Sequence, residues 1–434
     1  MKRKEIIQAL IATKQAEIPF SVNTRELKLP LQVEKIITIP GVRRCGKSSL
    51  MMLAINELIA KGVDKKKILW LGFDDERLYD MTTSELDEVI TAYSEMFPDI
   101  PIREVYMFFD EIQIIEKWEL FVLRLYKSYC KNIYISGSNA FLLSGELSSA
   151  LRGWPIEYNA YPLSFKEFCN FKKVDFASYT ENGKAKIKKN FGEFNNRGGF
   201  PEIVLTKENS LKDTKLQGYF NTMLFRDLVE HYKISNPEIA RYFIKRIMAN
   251  IGSPTSILKI YRDIKSQGHA VGKEMLYELS EHICSIFMFF KIPRYARSLI
   301  KEENSLHKYY CIDNGLRNSV IIPQNDDNGK LLENSVFLYL KRNCSPTDKI
   351  YYYSGKNECD FVMQNRDKIS SLIQVTWDMH TESTRNRELN GILEASKITG
   401  CKNLTIVTND DEEIIKINNL DINVVPAWKW LLRK

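Results

Sequence analysis

The residues best suited to chemistry stand together near the start of the chain, in Gly41-Val42-Arg43-Arg44-Cys45-Gly46-Lys47-Ser48, a G-x-x-x-x-G-K-S pattern. Glycine at both ends lets the backbone wrap an anion closely, and a helix opening at the loop's end turns unpaired N–H groups toward it. Lys47 brings a point charge for the β- and γ-phosphates of a nucleotide, and Ser48 a hydroxyl ligand for magnesium. The stretch Gly41, Val42, Arg43, Arg44, Cys45, Gly46, Lys47, Ser48 and Ser49 is therefore the expected phosphate cradle. A second pair, Asp110-Glu111, ends the apolar run Val105-Tyr106-Met107-Phe108-Phe109. There Asp110 is expected to share Mg2+ with Ser48, and Glu111 to polarise the water that attacks the γ-phosphate of ATP.

Two further positions follow the same logic. Asn132-Ile133-Tyr134-Ile135-Ser136 reads as a strand ending in Gly137-Ser138-Asn139. In ATPases with a strand between the two motifs a polar residue at that end senses the γ-phosphate. Ser138 and Asn139 both qualify, and each would equally well cap the helix that begins at Ala140. Arg152, in Leu151-Arg152-Gly153, is a finger or sensor arginine acting in its own chain or in a neighbouring subunit, or else an ordinary surface arginine.

Such residues need a frame, and the flanking segments supply one. Glu34 to Ile39 reads as a buried strand, Ser49 to Leu58 as the helix it feeds, Lys67 to Phe73 as a second strand and Ser84 to Tyr93 as a second helix. With the strands at 105–109, 132–136 and 156–161, this alternation predicts a parallel, doubly wound α/β sheet with its ligand at the strand C-terminal ends. Ahead of it, Ile6, Ile7, Leu10 and Ile11 share one face of an amphipathic helix.

Composition bounds the rest. The chain has 434 residues, 44% hydrophobic and 27% charged, which suits a globular protein of several domains. A net charge of +7, from 62 basic and 55 acidic residues that interleave, permits a nucleic-acid partner without requiring one. The eight cysteines form no C-x-x-C pair and read as free thiols of a reducing cytosol. No signal peptide is evident, and no apolar run reaches the roughly 18 to 20 residues that span a bilayer, so a cytoplasmic location off the membrane is expected.

In order, the segments GVRRCGKSS, FDDERL, FFDEIQ, ISGSNAFLLSGELSSALRG, YPLSFKEF and RGGFPE resemble a prokaryotic family of AAA-type ATPases, common in archaea, that carry a C-terminal domain of unknown function. The resemblance implies ATP and Mg2+ as ligands and catalytic or sensing roles for Lys47, Ser48, Asp110, Glu111, Ser138 and Arg152. It also implies a helical connector at 1–30, a P-loop NTPase core at 31–165 and a helical lid at 166–235.

Beyond the lid, 236–305 has a helix, turn, helix pattern with a closing strand near 286–292, as in a winged helix. Its second helix would offer DNA Lys273 and Tyr277, but also Glu274, Glu278 and Glu281, so a protein partner is an equal expectation. The part from 306 to 434 resembles a restriction-endonuclease-like fold, with Glu333 and Asp360 at its acidic positions. The E-x-K site of such nucleases is here Gln374-Val375-Thr376, which implies an inactive nuclease. The chain thus reads as an ATP-hydrolysing protein whose nucleotide state controls a C-terminal half that binds DNA, a protein or another copy of itself. A binding switch with negligible turnover is the alternative, and a metal-dependent nuclease the last.

Overall fold

Short apolar runs bounded by glycine and acidic residues form the strands of the first sheet. In the computed structural model these are β1 (Ile36–Pro40), β2 (Ile68–Gly72), β3 (Tyr106–Asp110), β4 (Asn132–Gly137) and β5 (Pro155–Glu157). All pair in parallel, in the order β2-β3-β4-β1-β5, so β4 lies between the strand that feeds the glycine loop and the strand that ends in Asp110. Alternate side chains face opposite sides. One face carries a row of rings, with Trp70 6.2 Å from Phe108 and Phe108 stacked 4.5 Å from Tyr134. The other, with Leu69, Leu71, Met107, Phe109, Ile133 and Ile135, packs in one core with Ile7 and Ile11 of the helix Arg3–Ala16. The predicted helix at 84–93 starts later, as Asp87–Met96, because Thr82 and Glu85 form a capping box around a short 3-10 turn.

The structure describes residues 2–137, 151, 153–176, 180–296, 298–322 and 327–433. They divide into two compact units, Met1–Tyr161 and Pro162–Lys434. Ser138, Asn139 and Arg152 lie outside the described residues. No helix among the described residues is long and apolar enough to cross a membrane.

The second unit opens with helical segments. The helices Phe165–Phe171 and Glu181–Arg197 put Phe165, Phe168, Phe191 and Phe194 into one core with Leu332, Val336, Phe337 and Phe361 from beyond residue 306. Periodicity shows that such a helix buries a face but not against what. β8 (His307–Cys311) pairs with β6 (Pro254–Thr255) and β7 (Phe289–Ile292) in an antiparallel sheet of order β6-β8-β7. The helices Pro237–Ala249, Ile257–Ser266 and Lys273–Ser285 complete that module.

After the helix Asp327–Asn343 comes a six-stranded mixed sheet. It is built from β9 (Asp348–Ser354), β10 (Glu358–Asn365), β11 (Lys368–Val375), β12 (Leu404–Thr408), β13 (Glu413–Ile417) and β14 (Leu420–Pro426), in the order β13-β14-β12-β11-β10-β9. The helix Glu382–Thr399 makes the crossover that lets β11 and β12 run parallel.

Glu394 on that helix closes the tight turn between β9 and β10. It accepts from the backbone N–H groups of Lys356 at 2.9 Å and Asn357 at 3.0 Å, from the Asn357 amide at 2.7 Å and from the Tyr353 hydroxyl at 2.8 Å. These donors, the Asn357 side chain first, outweigh burial and pull its carboxyl from 4.5 down to about 2. A depressed carboxyl stabilises the fold above its unfolded pKa, and that contribution fades as pH falls from 4.5 toward 2. Glu394→Gln is expected to cost about 1–2 kcal/mol at pH 7, after allowing for competing water. Denaturant titrations at several pH values should show the gap to wild type holding above pH 5 and closing below it.

Candidate functional site

Parallel pairing sets the ends of β1, β4 and β3 side by side. Ile39 lies opposite Ser136, Pro40 opposite Gly137, and Phe109 opposite Ile135. The glycine loop after β1 and the carboxylates after β3 therefore open on the same sheet edge. An added Cβ at Gly41 would stand 2.3 Å from the Ala160 carbonyl oxygen, so only glycine fits there. Gly46 takes the left-handed conformation, φ 99°, that turns the loop into the helix Lys47–Ala60. Arg25 pins the loop from behind, donating to the carbonyls of Cys45 and Tyr161, each at 2.9 Å. The Cys45 thiol faces the Ala160 carbonyl at 3.4 Å, and burial pushes its pKa up, so its side chain packs and does not react.

Lys47 is buried. Its Nζ donates to the carbonyls of Gly41 at 3.1 Å and Val42 at 3.3 Å, and lies 3.5 Å from Glu111 Oε1. Asp110 is only 8% exposed and receives the hydroxyls of Ser136 and Ser48. Burial pushes its carboxyl above the ordinary range, and those two hydroxyls pull it partly back. Glu111 has left-handed backbone, φ 51°, and donates its N–H to Ser136 Oγ at 3.4 Å. Its Oε2 accepts from the Gln113 amide, whose own Oε1 is buried with no partner among the described residues.

The loop from Gly41 to Ser49, Asp110 and Glu111 thus come together at one edge. Three contributors escape the sequence reading. Ser136 carries a signal, as a small polar residue ending an apolar strand next to β3. Gln113 is marked only by following Glu111 two positions on, and Arg25, twenty residues before Cys45, by nothing local. A magnesium ion suits this donor set. The Asp110 carboxylate and Ser48 hydroxyl are hard oxygen ligands, and a cation would relieve the burial of the Asp110 charge.

The acidic residues of the second unit meet as well. Glu333 and Asp360 converge, but on the ammonium of Lys308. Gln374 accepts from the Asp360 N–H at 3.2 Å and donates to Glu388 at 2.5 Å, while Thr376 donates to the Asp378 carbonyl at 3.1 Å. The positions expected for E-x-K are occupied by structural hydrogen bonds.

A five-stranded parallel sheet of this order, with the glycine loop after β1 and the acidic pair after β3, defines an AAA-like P-loop NTPase domain. Residues 33–169 match the AAA domain family, and residues 188–327 match a domain of unknown function, ending before the six-stranded sheet. An uncharacterized protein of Methanocaldococcus jannaschii is 32% identical over 95% of this chain and 91% of its own length. An uncharacterized protein of Haemophilus influenzae is 30% identical over 91% of this chain and 94% of its own. The chain belongs to this archaeal and bacterial family, which joins an AAA P-loop domain to a domain of unknown function. Among solved structures, the Walker-type ATPase of Pyrococcus abyssi is similar over 73% of this chain and 95% of its own, at 15% identity and a TM-score of 0.43.

The Asp110 carboxylate is a burden on the nucleotide-free fold. Asp110→Asn removes the buried charge and keeps an acceptor for both hydroxyls. It is expected to raise the melting temperature by about 2–4 °C, read in a thermal scan without nucleotide. A lower value would mean that the hydroxyl donors outweigh the burial.

Proposed function

We propose that the first unit binds ATP with Mg2+ and hydrolyses it, and that the nucleotide state governs what the second unit binds. The convergence of Lys47, Ser48, Asp110 and Glu111 on one sheet edge carries this reading. The Lys47 ammonium rests on two neutral carbonyls of its own loop and faces Glu111. Phosphate oxygens are stronger, charge-assisted acceptors, so Lys47 exchanges the carbonyls for them and gives up Glu111. The backbone N–H groups between Arg43 and Ser49 hold the remaining phosphate charge. Ser48 and Asp110 would hold the magnesium ion, which supplies charge neutralisation at the β- and γ-phosphates. Glu111 orients a water and takes its proton as the water oxygen bonds to the γ-phosphorus and the bond to the bridging oxygen breaks, leaving ADP and phosphate. Ser138 or Asn139 reports the loss of the γ-phosphate, and Arg152 steadies its charge.

Glu111→Gln should bind ATP about as well as wild type and hydrolyse it about a hundred- to ten-thousand-fold more slowly. Lys47→Ala should lose binding of a fluorescent ATP analogue. Wild-type turnover in Glu111→Gln would remove Glu111 from its role as base. A single slow turnover in wild type would favour the switch over the motor.

The partner we propose for the second unit is a basic protein surface. Residues 237–311 have the element order of a winged helix, whose third helix, the second of its helix-turn-helix pair, enters a DNA groove in the DNA-binding cases. Here that helix, Lys273–Ser285, exposes Glu274, Glu278 and Glu281 beside Lys273 and Tyr277. Glu281 pairs with Lys291 on β7, and the two remaining carboxylates, Glu274 and Glu278, against Lys273 repel phosphate. Fluorescence anisotropy with duplex DNA, with and without ATP, should show binding no tighter than the roughly 10 µM of non-specific contact. A nanomolar ATP-dependent complex would make DNA the partner.

A further inference from the structure

Lys308 lies on β8, and its side chain is fully buried, at 0% exposure. Its Nζ stands 2.7 Å from Glu358 Oε1, 3.0 Å from Asp360 Oδ1 and 3.2 Å from Glu333 Oε1. An ammonium has three N–H protons, and here three carboxylate oxygens meet them at hydrogen-bond length. The surrounding lone pairs are used as well. Asp360 Oδ2 accepts from the Val375 N–H at 2.9 Å, and Glu333 Oε1 from the Tyr310 hydroxyl at 2.7 Å. On the far side, Glu333 Oε2 packs so close to Gly252 that a Cβ there would lie 2.7 Å from it. Burial works against the charge on Lys308, but Glu333, Asp360 and Glu358 outweigh it and raise its pKa well above 10.5.

We infer that Lys308 is the resident cation of this carboxylate cluster, standing where a divalent metal would stand and closing the cluster to metal. The lysine comes from β8 of the three-stranded sheet. It does not come from β11, where Thr376 follows the strand at the position a nuclease lysine would take. A divalent ion at the centre would need oxygens at about 2.0–2.6 Å with their lone pairs turned toward it. It would also have to drive a fully buried ammonium away from the three carboxylates that hold it. The same contacts clamp β8 to the helix Asp327–Asn343 and to β10, so the cation joins the three-stranded module to the six-stranded sheet. This inference is independent of nucleotide hydrolysis.

The test is an Mn2+ titration read by electron paramagnetic resonance on the full chain, without nucleotide and with Asp110→Asn added to silence the first unit. With Lys308 in place, no Mn2+ should bind below about 1 mM, the weak end of carboxylate sites. Lys308→Met should gain one Mn2+ per chain and lose it again when Asp360→Asn is added. It should also melt roughly 10 °C lower, because the carboxylates lose their partner, with Mn2+ restoring part of that loss. Mn2+ binding by the Lys308 chain that Asp360→Asn abolishes would overturn the inference, as would a folded Lys308→Met that binds none. If Lys308→Met does not fold unaided, refolding with and without Mn2+ decides. Recovery by the ion supports the inference, and no recovery overturns it.

Discussion

A carboxylate at the end of a buried strand loses its water, at a cost of several kcal/mol unless protein donors replace it. Asp110 is in that position, and both of its donors are brought from elsewhere in the sheet and loop: Ser136 from β4 and Ser48 from the start of the helix after the glycine loop. Their arrival depends on register. β4 sits between β1 and β3 with Ser136 level with Ile39, and a slip of one residue would turn Ser136 to the opposite face. The register is in turn held by side chains far from any chemistry, the ring row of Trp70, Phe108 and Tyr134 on one face and the aliphatic core on the other. Packing thus comes first, and the polar edge inherits its geometry.

The two charged clusters differ in how completely they are satisfied. At the first, Lys47 meets two neutral carbonyls and a carboxylate 3.5 Å away, Asp110 is held above its ordinary pKa by burial, and Gln113 Oε1 has no donor among the described residues. Each shortfall favours a ligand that brings phosphate oxygens, a cation or water. At the second, the three protons of Lys308 meet three carboxylate oxygens, and neighbouring groups fill other lone pairs. Similar residue types thus give an open site in one place and a sealed one in the other.

Much of the first unit is legible in the sequence because β1, β3 and β4 are short apolar runs that stop beside the residues of the site. Gly41 follows β1, Asp110 closes β3, and Gly137 closes β4. The second unit is less so. The aromatic faces at Phe165, Phe168, Phe191 and Phe194 predict helices but not their partners, which lie more than a hundred residues on. β8 looks like the start of the last domain because its pairing partners precede it and leave no local mark. β13 alternates half-buried and exposed positions as an edge strand beside β14, and gives too weak a signal to be read. Lys308 is the clearest loss. A single lysine in His307-Lys308-Tyr309-Tyr310 looks solvated, and only the fold places it between Glu333 and Asp360.

These differences limit how nucleotide could act on the second unit. A ligand shifts a conformational equilibrium only by the difference in its affinity for the two states. The element that moves must therefore be one whose contacts change at modest cost. Breaking the Lys308 cluster would leave an ammonium and carboxylates buried without partners, a cost of about 3–5 kcal/mol or more for removal of one side. That exceeds the whole coupling energy of a typical allosteric pair, about 1–3 kcal/mol. The joint between the three-stranded module and the six-stranded sheet is for that reason a poor hinge. Any change within the second unit has to carry β8, the helix Asp327–Asn343 and β10 together as one body.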